Sequence, residues 1–244
     1  MTLAPAHTVV PLTSAEAPLW RLLVVNPNSN PAVNFLLRAV ADRVLPAGAV
    51  AQIVSSAQSP LSIETPAHRA RAEPLAVGLL AAHPGFDAYV MACFDDIALS
   101  EGRRLLPAPV IGAVEAAVAM ARLRADRFAV VTTVETAIPG IRRVLDGLGA
   151  GPQCAVHAAG IGVATAANGS RAADLRLDAA IAHARDRGGA GAIILGSAGL
   201  AGRAAELEAR HGLPVIDAME AAIRLAYATV RTRQEGPAPQ SADI

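Results

Sequence analysis

Aromatic side chains are scarce in this sequence. Phe, Trp and Tyr make up 3% of its 244 residues, whereas hydrophobic residues as a class reach 53%. The core must therefore be built mainly from Ala, Val, Leu and Ile, a composition that suits helices packed closely on parallel strands. The length is suited to one large domain or to two smaller ones.

The chain also lacks an excess of charge of either sign. Lys and Arg together number 21, as do Asp and Glu, so no surplus of positive charge is available to hold a phosphate backbone. No apolar stretch reaches the roughly 18 residues that a bilayer span needs. We therefore expect neither nucleic acid nor a membrane among the partners of this protein.

Only two cysteines are present, Cys93 and Cys154. One lies at the end of a predicted strand and the other inside one, which argues against a disulfide framework and favours a reduced, cytoplasmic protein. Cys154, in the predicted strand 153–157, is interpreted as a small buried hydrophobe. The six histidines are scattered and the cysteines are far apart, so no metal site is predicted.

The two ends of the chain show no sign of regular structure. Residues 1–20 carry neither Lys nor Arg and no continuous apolar core, which predicts a disordered leader rather than a secretory signal. Residues 231–244 are polar and rich in Gln, Glu, Gly, Pro, Ala and Ser, which predicts a disordered tail.

An apolar run that stops abruptly at a thiol is the most informative feature that is present. Residues 88–92 (AYVMA) are followed by Cys93, Phe94 and two acids, Asp95 and Asp96. Such a run predicts a fully buried strand of a parallel sheet, and open α/β sheets bind their ligands at the carboxyl ends of their strands. The pattern therefore places chemistry at Cys93.

The second half of the chain repeats this pattern. Residues 191–200 (GAIILGSAGL) match the run that ends at Cys93, and Ser197 stands where the thiol was. Two further pairs of segments match: 109–117 matches 214–222, and 21–26 matches 127–132. Equivalent residues of the two halves are 104 to 106 positions apart. A repeat of this length is a duplicated α/β unit, with each copy large enough for its own core.

This duplication predicts two pseudo-symmetric parallel-sheet domains that face each other across a cleft. We assign residues 21–112 together with 217–230 to the first domain, and residues 113–216 to the second. Cys93 and Ser197 would then flank one ligand.

The loop after the first predicted strand is a second candidate site. Asn26 and Asn28 stand between that strand and a predicted helix, for which Asn30 is the N-cap and Pro31 the first residue. Backbone amides at a helix start can receive an anion. Ordinary turn chemistry explains these residues equally well, and His157, at the end of a predicted strand, is a weaker candidate.

Together these stretches resemble the aspartate/glutamate racemase superfamily and, within it, the hydantoin and allantoin racemases. The resemblance covers about residues 21–226 and is specific in its combination of motifs. The motifs are NPNS at 26–29, SIE at 62–64, CFDD at 93–96, PVIG at 109–112, VTT at 131–133, LGSAG at 195–199 and PVID at 214–217.

The resemblance implies two Rossmann-like, three-layer halves with the active site in the cleft between them, and neither cofactor nor metal. Members of the superfamily move a proton at a carbon next to a carbonyl, using one cysteine from each half on opposite faces. Cys93 would be one acid/base, with a small-molecule hydantoin, allantoin or amino-acid derivative as substrate. The residues expected to bind it are Asn26, Asn28, Phe94, Thr132, Thr133, Ala198 and Gly199.

Ser197 departs from the family pattern, because a serine hydroxyl is a far weaker acid than a thiol. Four interpretations remain open. The protein is a racemase in which Ser197 works through a water or a neighbour, or an engineered Cys-to-Ser variant of an ordinary racemase. In the third interpretation, one thiol is enough for a one-sided reaction on a small carboxylate. That reaction would be a decarboxylation, as in the arylmalonate decarboxylases, or a cis-trans isomerisation, as in the similar maleate isomerases. Finally, it is a ligand-binding homologue that has lost the chemistry.

Three further expectations complete the sequence analysis. Asp96 is interpreted as a helix cap or solvated loop residue, and Glu115 and Glu220 as serving the fold. Helix N-termini near the strand ends are expected to lower the pKa of the Cys93 thiol. We also expect a homo-oligomer.

Overall fold

The computed structural model describes residues 7–9 and 19–234. It contains two sheets flanked by helices, which confirms the predicted two-domain α/β architecture. No helix in this described part of the chain is both long and apolar enough to cross a membrane.

The first sheet has five strands in the order β1-β3-β2-β4-β5. Strands β2 to β5 are parallel, and β1 pairs with the edge of β3 in the antiparallel sense. The elements of this half are β1 (His7–Val9), β2 (Trp20–Val25), α1 (Pro31–Val44), β3 (Ala49–Ser56), α2 (Pro66–Ala82), β4 (Ala88–Met91), α3 (Leu99–Leu105) and β5 (Val110–Gly112).

The second sheet has four parallel strands in the order β7-β6-β8-β9, which repeats the order β3-β2-β4-β5 of the first. The duplication read from the sequence is thus a duplication of topology. The elements are α4 (Ala113–Arg122), β6 (Phe128–Thr132), α5 (Ile138–Gly147), β7 (Cys154–Ala158), α6 (Val163–Asn168), α7 (Arg171–Asp186), β8 (Ala192–Leu195), α8 (Ala204–His211), β9 (Val215–Asp217) and α9 (Ala218–Gln234).

The central strands are apolar on both faces because helices cover both faces of each sheet. Leu22 and Val24 of β2 pack into a core shared by the two halves, together with Val130 of β6 and the crossover helices α4 and α9. Leu23 faces the opposite way, toward α2, and Ile193 of β8 faces α7. One apolar core therefore joins the two sheets, and each sheet has a second core beneath its outer helices.

The chain crosses between the halves at two helices. Helix α4 follows β5 and packs on β8 and β9, whereas α9 follows β9 and returns to pack on β2, β4 and β5. The division into residues 21–112 with 217–230, and residues 113–216, stays a prediction.

The structure differs from the sequence predictions in three places. His7–Val9, inside the predicted leader, form an edge strand on β3, and Thr and Val are residue types that favour strands. Helix α9 runs to Gln234, four residues into the predicted tail. The remainder of the predicted leader up to residue 18, and residues 235–244, lie outside the described residues. Helix α6 was not predicted from its Gly- and Ala-rich segment.

A partly buried carboxylate, Asp96, and a buried one, Asp217, cap the two crossover helices. Asp96 accepts hydrogen bonds from the backbone N–H groups of Val114 and Glu115 at 3.0 and 3.2 Å. Asp217 does the same for Met219 and Glu220. In the first half Gly112 occupies the position that corresponds to Asp217, and a Cβ built there would lie 2.5 Å from the Asp96 carboxylate. The missing side chain at position 112 makes room for the Asp96 cap.

This arrangement predicts that Gly112→Ala destabilises the protein by about 2 kcal/mol, because the new methyl group forces Asp96 away from α4. The φ angle of Gly112 is −86°, so alanine meets no backbone strain there. The measurement is the free energy of unfolding in urea. Gly78→Ala is the control: Gly78 lies in α2 with open space around it, and alanine should stabilise that helix by up to about 1 kcal/mol. Equal stability of Gly112→Ala and the parent would contradict the proposed cap.

Candidate active site

A cavity of about 190 Å³ lies between the two halves, at the carboxyl ends of their central strands. Cys93, which follows β4, and Ser197, which follows β8, both line it. The two positions that the duplication pairs in sequence are therefore brought to one cavity by the fold.

The Cys93 thiol is buried, and burial is the largest influence on its pKa. Burial raises the pKa well above the ordinary value of a thiol, and the charges of Asp95 and Asp96 raise it further. The Arg69 guanidinium and the backbone N–H of Asp95 act in the opposite direction but do not overcome burial. The expectation of a lowered pKa is therefore wrong, because burial outweighs the cationic and amide neighbours.

Ser197 accepts a backbone hydrogen bond like the one that Cys93 accepts from the Asp95 N–H. Its Oγ accepts a hydrogen bond from the Gly199 N–H at 3.2 Å, and it caps the short turn Ala198–Leu200. In both loops, then, the side chain at the strand end is hydrogen-bonded by the amide two residues later. An amide at this place stabilises negative charge on the side-chain atom.

The predicted role of Gly199 is not supported by its position. Ala198 lines the cavity, but Gly199 does not. A Cβ at Gly199 would lie 2.7 Å from the carbonyl oxygen of Val163, so the residue is packed against α6 and its N–H is engaged by Ser197. Gly199 thus positions the Ser197 loop, and its contact with substrate stays a prediction.

The asparagines after β2 divide into a buried and a cavity-lining residue. Asn26 is fully buried, does not line the cavity, and donates through Nδ2 to the Oδ1 atoms of Asn28 and Asn34 at 3.1 and 2.9 Å. Asn28 does line the cavity. Its Oδ1 also accepts from the Asn30 N–H at 2.9 Å, which leaves its Nδ2 hydrogens for a ligand. Asn26 therefore orients Asn28, and its own contact with substrate stays a prediction.

The other predicted binding residues all line the cavity. Thr132 donates through Oγ1 to the carbonyl oxygen of Gly196 at 2.9 Å, whereas the Thr133 hydroxyl has no protein partner in the described part of the chain. Phe94 reaches across the cleft to the residue before Ser197, because a Cβ at Gly196 would lie 3.2 Å from its ring. Contacts of this kind hold the two strand ends together.

Glu64 is a cavity residue to which the sequence analysis assigned no role. Its Oε1 accepts a hydrogen bond from the Val163 N–H at 2.8 Å and so caps the start of α6 from the other half of the molecule. Its carbonyl oxygen accepts from the Thr136 hydroxyl. Glu64 belongs to the SIE motif at 62–64, but Val163, to which it is hydrogen-bonded, lies 99 residues away. The sequence therefore contains no local sign that Glu64 caps a helix, and α6 was not predicted.

Arg69 and Asp95 form a second unpredicted feature of the cavity wall. The two side chains make an ion pair, and Asp95 also packs against Gly140 of α5. Burial raises the pKa of the Asp95 carboxyl, while the charges of Arg69 and Arg143 oppose that shift. The Oδ1 atom of Asp95 is buried without a hydrogen-bond partner in the described structure.

The remaining titratable candidates serve the fold. Asp96 caps a helix as expected, although the helix is α4 and not the adjacent α3, and burial raises its pKa to about 7. Glu115 bonds Arg103 and the Gly112 N–H, and Glu220 bonds Arg43. These roles agree with the structural interpretation of the three acids.

Two further candidates lie away from the cavity. Cys154 is partly buried in β7, and burial raises its pKa to about 12. His157, farther along β7, faces the ring of His183 with 5.2 Å between centroids. Neither residue lines the cavity. Within residues 7–9 and 19–234, no group of three or more His, Cys, Asp or Glu side chains is arranged to hold a metal ion.

Comparison with known proteins identifies the family. The sequence profile of the Asp/Glu/hydantoin racemases matches residues 22–226. The chain belongs to this family. It is 34% identical to the hydantoin racemase of Rhizobium meliloti over 213 residues, which cover 84% of this chain and 86% of that protein. Identity to the hydantoin racemase of Paenarthrobacter aurescens is 32% over 86% of this chain and 91% of that protein.

The fold agrees with this assignment. The allantoin racemase of Klebsiella pneumoniae superimposes with a TM-score of 0.84 at 32% identity, covering 88% of this chain and 89% of that one. The resemblance inferred from the motifs is thereby confirmed, and the protein is an isomerase of the racemase class. The cytoplasmic location and the homo-oligomer stay predictions.

Asp95 and Arg69 form an ion pair, but their charges shift the pKa of Cys93 in opposite directions. Substituting one or the other should therefore have opposite effects on the reactivity of Cys93. Asp95→Asn removes a charge that raises the pKa of Cys93, so at pH 8 the thiolate fraction and the rate of alkylation by iodoacetamide should rise at least a few-fold. Arg69→Gln removes a charge that lowers this pKa and should slow alkylation. The rates are measured in a Cys154→Ser background, so that only Cys93 reacts.

Both substitutions loosen the loop to the same extent if they act only through the lost ion pair. Faster alkylation in both variants would therefore mean that access, and not charge, controls the reactivity of Cys93, and would contradict this account.

Proposed function

We propose that this protein moves a proton at the carbon α to a carbonyl of a hydantoin-like or amino-acid-derived substrate, with Cys93 as the acid/base. Ser197 lies at the position of the second family cysteine. The observation that carries the proposal is that these two residues, from matching strand ends of the two halves, line one cavity.

The proton transfer can be followed atom by atom. The Cys93 thiolate takes the proton from the α-carbon, and the electron pair of the broken C–H bond moves toward the carbonyl oxygen to give an enolate. Hydrogen-bond donors that face the cavity would stabilise this oxygen. Asn28 Nδ2 and the Thr133 hydroxyl are two such donors for which the described residues supply no acceptor. Return of a proton to the same face exchanges hydrogen, whereas return to the opposite face inverts the centre.

Ser197 limits inversion of the α-carbon, which needs a proton donor on the face opposite Cys93. The Gly199 N–H favours negative charge on the Ser197 oxygen, but the pKa of a serine hydroxyl lies far above neutrality. Among the described residues, no histidine lines the cavity to act as its base. We therefore expect exchange on the Cys93 face to be faster than inversion.

The chemistry proposed here uses no cofactor. The sequence contains no lysine, so it offers no side-chain amine for the Schiff base on which pyridoxal phosphate depends. Proton abstraction by a thiolate needs only the side chains and amides that line the cavity.

A one-sided reaction is the second candidate, and Ser197 is the observation that favours it. A single thiol suffices to protonate one face of an enolate, as in decarboxylation of a small dicarboxylate, or to add to the double bond of one in a cis-trans isomerisation. A homologue that binds such ligands without reaction, including a Cys-to-Ser engineered racemase, is the further alternative.

The proposal is tested with single enantiomers of 5-substituted hydantoins, of allantoin and of aspartate in heavy water. Deuterium uptake and optical rotation are followed together. Ser197→Cys should raise the rate at which rotation is lost by about 100-fold or more, since general acid–base groups contribute factors of that size. Cys93→Ala should abolish deuterium uptake.

Cys154→Ser is the matched control, because this thiol lies outside the cavity and its loss should change neither rate. Uptake with retained rotation in the parent supports exchange on a single face. If Ser197→Cys leaves racemisation unchanged for every substrate, position 197 is not the opposing acid/base. If no substrate exchanges hydrogen in either protein, the proposed function is wrong.

A further inference from the structure

Four charged residues line the cavity, and three of them are engaged by the protein. Arg69 and Asp95 form an ion pair, and Glu64 caps α6 through the Val163 N–H. The fourth, Arg143 on α5, makes no hydrogen bond and no ion pair within 4 Å in the described part of the chain. The formal charges of the four side chains cancel, and Arg143, which is exposed, is the cation of this set without an ion-pair partner among the described residues.

We propose that Arg143 determines specificity by binding a carboxylate at the end of the substrate's side chain. This inference rests on the proposed function and names a substrate class for it: hydantoins whose 5-substituent carries a carboxylate, such as a carboxymethyl or carboxyethyl group.

The position of Arg143 on its helix directs it toward the substrate. Pro139 and Gly140 also line the cavity, and residues three and four apart lie on the same face of a helix. Its charge acts on Asp95, two residues after Cys93. The neighbouring Arg142 does not line the cavity, and its charge acts on His157 of β7.

The chemistry of the guanidinium selects the ligand. Its five N–H donors match the two oxygens of a carboxylate in a forked pair, and hydrogen bonds to a charged group are stronger than those to a neutral amide. The lining of the same cavity includes apolar side chains, among them Ile63, Pro66 and Pro139. These side chains suit the methylene groups that would join a ring held at Cys93 to a carboxylate at Arg143.

The test compares two ligands of nearly the same shape. These are 5-(2-carboxyethyl)hydantoin and its neutral amide, 5-(2-carbamoylethyl)hydantoin. Their dissociation constants are measured by calorimetry on the Cys93→Ala variant, in which no proton transfer changes the ligand during the titration.

We expect the carboxylate to bind about tenfold more tightly than the amide, the difference typical of a charge-assisted hydrogen bond. Arg143→Gln should remove this preference while leaving the affinity for the amide nearly unchanged. Arg142→Gln, the matched control one residue away, should retain the preference.

Three results overturn the inference. These are equal binding of the two ligands, equal weakening of both by Arg143→Gln, and absence of binding by either ligand. Equal weakening would mean that Arg143 acts through Asp95 on the cavity as a whole. The binding assay is separate from the exchange assay in heavy water, so hydrogen exchange without a carboxylate preference refutes only this inference. A carboxylate preference without exchange of any substrate refutes only the proposed reaction.

Discussion

The free N–H groups at the start of each crossover helix are the constraint on which the site depends. The free N–H groups at a buried helix start need hydrogen-bond acceptors. In this protein a carboxylate that is linked to one of the loops lining the cavity supplies them for each of the two helices. Asp96 stands three residues after Cys93 and binds the start of α4. Asp217 binds the start of α9 and also accepts from the Gly202 N–H, in the segment that follows Ser197. The loops that carry Cys93 and Ser197 are thereby each attached to a helix that joins the two halves.

The same solution is reached with different residues in the two halves. In the second half the cap precedes its helix directly, at Asp217. In the first half that position is Gly112, and the carboxylate arrives from the loop. Both halves thus have a carboxylate at the start of the crossover helix, although the two acids stand at non-equivalent positions in the chain. Burial of the first acid raises its pKa to about 7, and its charge is one of those that raise the pKa of the neighbouring thiol.

Most of the fold could be predicted from the sequence because its signals are local. Apolar runs such as 88–92 define buried strands, and Asn30 and Pro31 mark the start of α1. The pairing of Cys93 with Ser197 followed from the duplication alone. Asn26 and Gly199 were placed at the site for the same local reasons. Their side chain and amide are used by neighbouring loop residues, which sequence spacing does not reveal.

The sequence by itself determined the two-domain architecture, the position of Cys93 at a strand end and the family, because each depends on patterns within or between short contiguous segments. Tertiary structure alone decided which polar groups face the ligand and what charge surrounds it. Glu64 meets Val163, Arg69 meets Asp95, and Arg143 is left without an ion pair in the described chain, through packing between the two halves. Burial and charge at a site sum over every neighbour in space, and separation along the chain does not give those distances.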